Sequence, residues 1–339
     1  KTRESHAGWY VLIGICAAVP CLMVLVLLLM SADMVFADLL VRFAGVFRFP
    51  VKLLRILLML VFGFLSSYCG VRYVQKHAAD IKPSAGKTAE PLIAIAFTAP
   101  IAVLYLLFSA IQIVYLFIGN MQLPAGVTYA EYARRGFFQL LFVCVLNLAA
   151  VLFIQSYFKE NRVLKALLLA ISGCTLIMTA SSACRMLLYI RAYQLTFLRV
   201  SVLVALAVIA LLMAGVIAKI VKPQFPLFRY GFVLAGAVYL VFAFSHVDYF
   251  IAAYNLTHTS WEASGEETVD YSYLYTLSTD AAPAIEKYAG KSGAADYRKQ
   301  GWYQLYCEAN EEALNETGLR TYNVSHAVAK QLLMEDNRE

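Results

Sequence analysis

Of the 339 residues, 61% are hydrophobic and 15% are charged, whereas a soluble globular domain is about half apolar and about a quarter charged. A soluble fold for the bulk of the chain is therefore excluded, and a lipid bilayer is its solvent. The formal charge of +6 hides a division: residues 1–255 carry 21 of the 28 Lys and Arg against eight acids, and residues 256–339 carry seven basic and 14 acidic residues. Basic residues at span ends anchor to lipid phosphates, so the surplus points to a membrane surface and away from nucleic acid.

The chain opens on Lys1 rather than Met, from which we expect an N-terminal truncation. A helix crossing the hydrocarbon needs about 20 mostly apolar residues, because its backbone must satisfy its own hydrogen bonds there. Seven stretches qualify: 9–30, 51–68, 92–119, 136–158, 163–189, 197–221 and 230–250. The first lacks a small-residue cleavage site and is followed by further spans, so it reads as a retained helix rather than a signal peptide.

Between the first two spans, Val35, Phe36, Leu39, Leu40 and Phe43 share one face, with Asp38 and Arg42 opposite at an i,i+4 interval. That pattern predicts an interfacial helix lying flat, ended by Pro50. A second such element precedes the fourth span, where Thr128 and Glu131 form a capping-box pattern and Glu131 reaches Arg134 or Arg135. Inside the spans, Gln112, Asn147 and Gln155 are the notable polar residues, and such groups hydrogen-bond between helices.

The N-terminus and the second, fourth and sixth connections hold 12 Lys and Arg, among them Lys159, Arg162, Lys165, Lys219 and Lys222; the opposite face holds nine. The positive-inside rule then puts the richer face in the cytoplasm and the C-terminal tail outside. The expected architecture is an all-α, polytopic transmembrane bundle over residues 1–255, with interfacial helices, and a small acidic helical tail over 256–339. In the tail, Asp280 and Pro283 open a short helix before Gly290. Trp302, Leu305, Tyr306, Ala309 and Ala313 recur as an apolar stripe until Gly318, and Asn323 or Ser325 caps a third helix.

Gly86, Lys87 and Thr88 resemble the end of a phosphate loop, but position 81 is Ile81 where that motif needs glycine. No HExxH, CxxC pair or GxSxG occurs, and the seven scattered cysteines read as packing residues. No catalytic residue, metal ligand or cofactor is assigned.

The denser polar clusters fall on odd-numbered connections or on the tail side of the last span, so with seven spans they share one membrane face. They are Glu131, Arg134 and Arg135; Arg185, Tyr189, Arg191, Tyr193 and Arg199; and His246, Asp248 and Asn255. Ser181, Arg185 and Tyr189 lie at i, i+4 and i+8, on one helical stripe. A guanidinium flanked by tyrosine hydroxyls suits a carboxylate or phosphate. The competing reading is an interfacial belt of snorkelling arginines and tyrosines, with Glu131 and Asp248 as structural partners of the arginines.

Several strings recur, in this order, in a bacterial polytopic family: Ser31-Ala32-Asp33 with Val35 and Phe36; Tyr129 to Arg134 with Gly136 and Phe137; Arg185 and Met186 through Leu188, Tyr189, Ile190, Ala192, Tyr193, Leu195, Thr196, Leu198 and Arg199; and Leu274, Leu277, Ser278, Asp280, Ala281, Pro283 and Ala284. The chain resembles domain-of-unknown-function family 4173. Members of that family often carry glycine before the Leu-Thr pair, where this chain has Gln194. The resemblance implies a multi-pass protein of the bacterial cell membrane and implies no reaction.

Three functions fit these features. The first is a non-enzymatic transport or sensing module that binds an anionic ligand or lipid headgroup at one membrane face. The second is an intramembrane transferase on a lipid-linked substrate, with Glu131, His246 or Asp248 as acid or base. The third is a structural subunit of an envelope complex.

Overall fold

The computed structural model describes residues 2–44, 89–114, 137–258, 260–261, 267–268, 271–288, 300–315 and 323–335. Its long helices are α1 (Thr2–Ala32), α2 (Met34–Ala44), α3 (Pro91–Gln112), α4 (Phe137–Tyr157), α5 (Arg162–Tyr193), α6 (Phe197–Val221), α7 (Leu227–Ala243) and α8 (Val247–Thr257). Among the described residues, five helices are long and apolar enough to cross a membrane, and α7 with α8 makes a sixth if the bent pair is one span. The fold is thus an all-α membrane bundle. The span expected at 51–68 and the element around Thr128 and Glu131 lie outside the described residues.

The last span departs from the continuous helix expected at 230–250. It breaks between Ala243 and Val247, with the two halves bent by 58°. At the break the Ser245 hydroxyl donates to the Phe242 carbonyl at 2.8 Å and His246 adopts φ 47. A side chain bonding back to the backbone competes with the helical ladder, and a left-handed residue ends it. An apolar periodicity does not record either event.

The contacts divide the chain into two compact units. The first comprises Lys1–Ala125, Arg135–Ser182 and Ile209–Tyr230. Its core gathers Leu29, Phe36, Phe108, Leu140, Met178 and Met213, all buried, with Phe36 meeting Phe108 edge to face at 5.1 Å. Apolar burial cannot by itself hold helices together in lipid, so close backbone approach and polar bonds carry more of the load. At Gly14 of α1, an added Cβ would lie 2.6 Å from both Ala96 Cβ and the Ile93 carbonyl oxygen of α3. At Gly215, it would meet the Tyr230 ring at 2.5 Å, a ring held in place because its hydroxyl donates to the Leu211 carbonyl at 2.9 Å. Prolines stand inside α1 (Pro20) and α3 (Pro100).

Asp33 alone separates α1 from α2. Its Oδ1 accepts the Phe36 amide at 2.9 Å, which caps the N-terminus of α2 and allows the chain to turn there. The expected Asp38–Arg42 pair forms at 2.9 Å on the exposed face of α2.

Among the described residues, the second unit comprises Ala183–Val208 and those between Gly231 and Glu339. Here α8 contributes Ile251, Ala252 and Leu256 to one core with Leu274, Leu277, Ala281, Ile285 and Tyr306 of the tail, so the boundary expected at residue 256 falls inside a shared core. After α8 comes a two-residue antiparallel ladder, β1 (Ser260–Trp261) on β2 (Glu267–Thr268). Then follow the short helices α9 (Tyr271–Leu274), α10 (Ala282–Tyr288, entered by a 3-10 turn at Thr279–Ala281), α11 (Gly301–Asn315) and α12 (Val324–Lys330). Asn323 caps α12 by accepting the Ser325 amide at 2.9 Å.

The buried face of α11 keeps Trp302 and Tyr306 of the expected stripe but not Leu305 or Ala309. Trp302, Tyr303, Tyr306, Asn310 and Leu314 are buried, while Leu305 and Ala309 are exposed. Polar anchors choose the face: the Asn310 amide donates to the Leu277 carbonyl at 3.1 Å, and the Tyr306 hydroxyl donates to the Ser278 carbonyl at 2.9 Å.

Candidate functional site

In the second unit, the arginine and tyrosine string surrounds the tight turn from α5 to α6. Gln194 takes φ 63, the left-handed conformation that glycine adopts freely, and its side chain compensates by donating to the His258 carbonyl at 3.0 Å. Asn255, buried in α8, accepts the Leu195 amide at 2.8 Å and donates to the Leu195 carbonyl at 2.9 Å. Arg199 donates to the Tyr193 and Gln194 carbonyls, and its guanidinium lies 4.3 Å from the centre of the Tyr189 ring. Tyr189 in turn packs on Tyr193 at 5.1 Å.

Of the residues expected to bind an anion, the structure thus brings Tyr189, Tyr193, Arg199 and Asn255 to one turn, where Arg199 and Asn255 hold backbone groups. Arg185 is wholly buried within α5, and Arg191 is exposed. Asp248 accepts both the amide and the hydroxyl of Ser278, at 3.0 and 2.6 Å, so its partner is a tail turn rather than an arginine. His246 Nδ1 lies 3.5 Å from Asp280 Oδ1. Glu131, Arg134 and Arg135 lie outside the described residues.

In the first unit, two polar chains cross the bundle interior. Gln112 Nε2 donates to Asp33 Oδ2 at 2.7 Å, and Ser181 Oγ donates to Gln112 Oε1 at 2.5 Å. Tyr105 donates to Asn147 Oδ1 at 2.6 Å, and Asn147 Nδ2 donates to Thr175 Oγ1 at 3.0 Å. Gln112 and Asn147 behave as expected of polar residues in spans, bonding between helices. In sequence, Asp33 marks only the start of an interfacial helix; its burial inside the bundle comes from the fold.

The first unit also contains a half-open groove of about 550 Å³ where α4 turns into α5 and α6 turns into α7. Its polar rim comprises Lys159, Glu160, Arg162, Lys165 and Lys219, and its apolar wall includes Leu152, Phe158, Leu164, Ile220 and Leu227. Local sequence explains this rim. Asn161 accepts the Val163 amide at 2.8 Å and so starts α5, which puts Arg162 and Lys165 on one edge of its first turn at i,i+3. Lys219 falls in the last turn of α6, where a cation suits the helix dipole. Lys219 donates to the Pro223 carbonyl, and Lys165 approaches the Val221 carbonyl at 3.4 Å. An ammonium has three donors, so both lysines keep capacity for a ligand. Lys159 is held by Glu90 at 2.6 Å, beside a bridge in which Lys159 N donates to the Ala89 carbonyl at 3.1 Å.

Span by span, these lysines read only as anchors. The signal that marks them as a group is the run Lys159, Arg162, Lys165 at three-residue steps, together with Lys219 four residues before Pro223.

The family model described as domain of unknown function (DUF4153) matches residues 1–288. This corrects the number 4173 suggested by the resemblance, and leaves its general content, a family with no assigned reaction, in place. No curated protein and no solved structure matches the chain.

Proposed function

The chain belongs to the DUF4153 family, and we propose that this member is a non-enzymatic membrane module that binds an anionic ligand at one membrane face. The observation that carries this reading is the groove: Arg162, Lys165 and Lys219 stand over an apolar wall in a space of about 550 Å³, within the range of about 300–1,000 Å³ typical of ligand sites. A wall of low polarizability strengthens the attraction of an anion to cations above it. By contrast, Arg199, Asp248 and Asn255 bond to backbone and hydroxyl groups of their own unit, which favours the groove over that cluster as the anion site. The surplus of Lys and Arg on this side of the spans supports a cytoplasmic location at a bacterial cell membrane, with transport or sensing as the purpose of the site.

The test is a thermal-unfolding panel on the purified protein with phosphate- and carboxylate-bearing compounds, both water-soluble and amphiphilic. Saturable stabilisation by a member of the panel, lost in K165Q/K219Q, supports the reading. A flat response of the native protein across the whole panel overturns it.

A further inference from the structure

Resting on the reading of the groove as an anion site, we propose that its occupant is a membrane phospholipid with an anionic headgroup. The phosphate sits among Arg162, Lys165 and Lys219, and the glycerol backbone and upper chain segments lie against Leu152, Phe158 and Leu227.

Two features select a lipid over a free anion, and a third marks the groove as a site. The groove opens where one span ends and the next begins, between Tyr157 and Arg162 and between Val221 and Leu227, and span ends of that length meet the headgroup region of a bilayer. Its lining combines cations with side chains that are only partly buried, namely Leu152, Phe158 and Leu227. A small inorganic anion would leave those side chains in water, whereas a glycerolipid covers them and gains the apolar transfer energy. The cations also have a geometric reason to be ordered. Lys165 reaches from α5 to the Val221 carbonyl at the α6 terminus, and Lys219 donates to the Pro223 carbonyl in the turn after it, so both ammonium groups are directed to the same helix end. A preorganised pair of ammonium groups loses less side-chain entropy on binding, and this separates a site from general snorkelling.

The closing experiment titrates the delipidated full chain in detergent with phosphatidylglycerol, phosphatidylcholine or sn-glycerol 3-phosphate, and reads both bound mass and unfolding temperature. The expected result is one saturable phosphatidylglycerol adduct that raises the unfolding temperature, with little effect of phosphatidylcholine. K165Q/K219Q is expected to weaken that binding about thirty-fold, from the usual contribution of a cation near an anionic lipid surface. K165R/K219R, which keeps both charges, is expected to retain it, and its unfolding temperature without lipid checks that the turn is intact. Equal phosphatidylglycerol binding by native and K165Q/K219Q proteins overturns the lipid site. Protection by glycerol phosphate as strong as that by phosphatidylglycerol overturns the lipid assignment while leaving the anion site standing. Protection by none of the three in the native protein overturns the lipid assignment, and the wider anion panel then decides the fate of the underlying reading.

Discussion

Asn255 grips Leu195 by both of its backbone polar groups, with Oδ1 taking the amide at 2.8 Å and Nδ2 giving to the carbonyl at 2.9 Å. An asparagine side chain copies the donor and acceptor pattern of a peptide unit, so α8 pairs with the α5–α6 turn as a strand neighbour would. Leu195 thereby satisfies its backbone in a turn too tight to do so internally. Asn255→Ala leaves both groups unpartnered in a partly buried place and is expected to cost about 2–6 kcal/mol, the sum of two lost partners. Asn255→Asp keeps the acceptor but sets a carboxylate oxygen against the Leu195 carbonyl at a buried position, and should cost at least as much as Asn255→Ala. Chemical unfolding in detergent, followed by circular dichroism, gives the order.

Gln194 stands at φ 63, so substitutions there separate backbone strain from side-chain bonding. Gln194→Gly removes strain of about 1 kcal/mol and forfeits a hydrogen bond of about the same worth, so its stability should stay close to native. Gln194→Val adds a β-branched side chain in a region such residues avoid and also loses the bond, and should destabilise by about 2 kcal/mol or more. Equal stabilities for the two variants in the same unfolding assay would count against a left-handed Gln194.

Asp33 has two duties, capping α2 and accepting from Gln112. Asp33→Ala removes a cap worth about 0.5–2 kcal/mol and leaves the buried Gln112 amide short of an acceptor at about 1–3 kcal/mol. Together these predict a loss of about 1.5–5 kcal/mol. Gln112→Ala in the Asp33→Ala background should cost less than in the native protein, because the two share one bond. A double-mutant cycle measures that difference.

Gly14 lets α1 lie against the α3 backbone, where the Ile93 carbonyl oxygen is 2.6 Å from the place an alanine Cβ would occupy. A carbonyl inside a helix cannot swing aside, so even Gly14→Ala is expected to cost about 1–3 kcal/mol, and Gly14→Leu more. Gly236 and Gly173 have open space at the same position, so Gly173→Ala is the control that should remain near native on thermal unfolding.

Tyr306 supplies the pH dependence of the tail. Burial, ahead of the nearby Cys307, Asp248 and Asp280, pushes its hydroxyl well above the usual value near 10. Burial likewise pushes up the Cys307 thiol next to it. Both groups are neutral in the folded tail, so their contribution to stability is fully present below the unfolded values of about 9 and 10 and declines as the pH rises beyond them. Alkaline titration should therefore unfold the tail helices from about pH 9 upward, and Tyr306→Phe should flatten the slope above about pH 10 while lowering stability at neutral pH through the lost bond to Ser278. A slope unchanged in Tyr306→Phe would show that another group sets the alkaline limit.

Much of the bundle is legible in the chain itself because a bilayer imposes one requirement, long apolar runs that close their own backbone bonds. The stretches 92–119, 136–158, 163–189 and 197–221 meet that requirement plainly, and each corresponds to a helix among the described residues. Local chemistry is equally readable at Asn323, where a side chain bonds two residues along the chain, and at Asp38 with Arg42, one helical turn apart.

What stays hidden depends on partners distant in sequence. Leu305 and Tyr303 both lie on α11, and the reach of Asn310 to Leu277 and of Tyr306 to Ser278 decides which is buried. The break at Ser245 and His246 follows from a bond to neighbouring backbone and the approach of Asp280, which no apolar count detects. Asp33 looks like a surface cap until Gln112, 79 residues away, is found against it. Lys165 and Lys219 lie on different helices and read as separate anchors until two helix ends meet in one groove. Composition and periodicity settle where the chain enters lipid, because transfer of apolar surface depends on each segment alone. The pairing of polar and charged groups is settled by the tertiary structure, because a hydrogen bond or a shared anion requires two side chains within about 3 Å of a common point, and that proximity belongs to the fold.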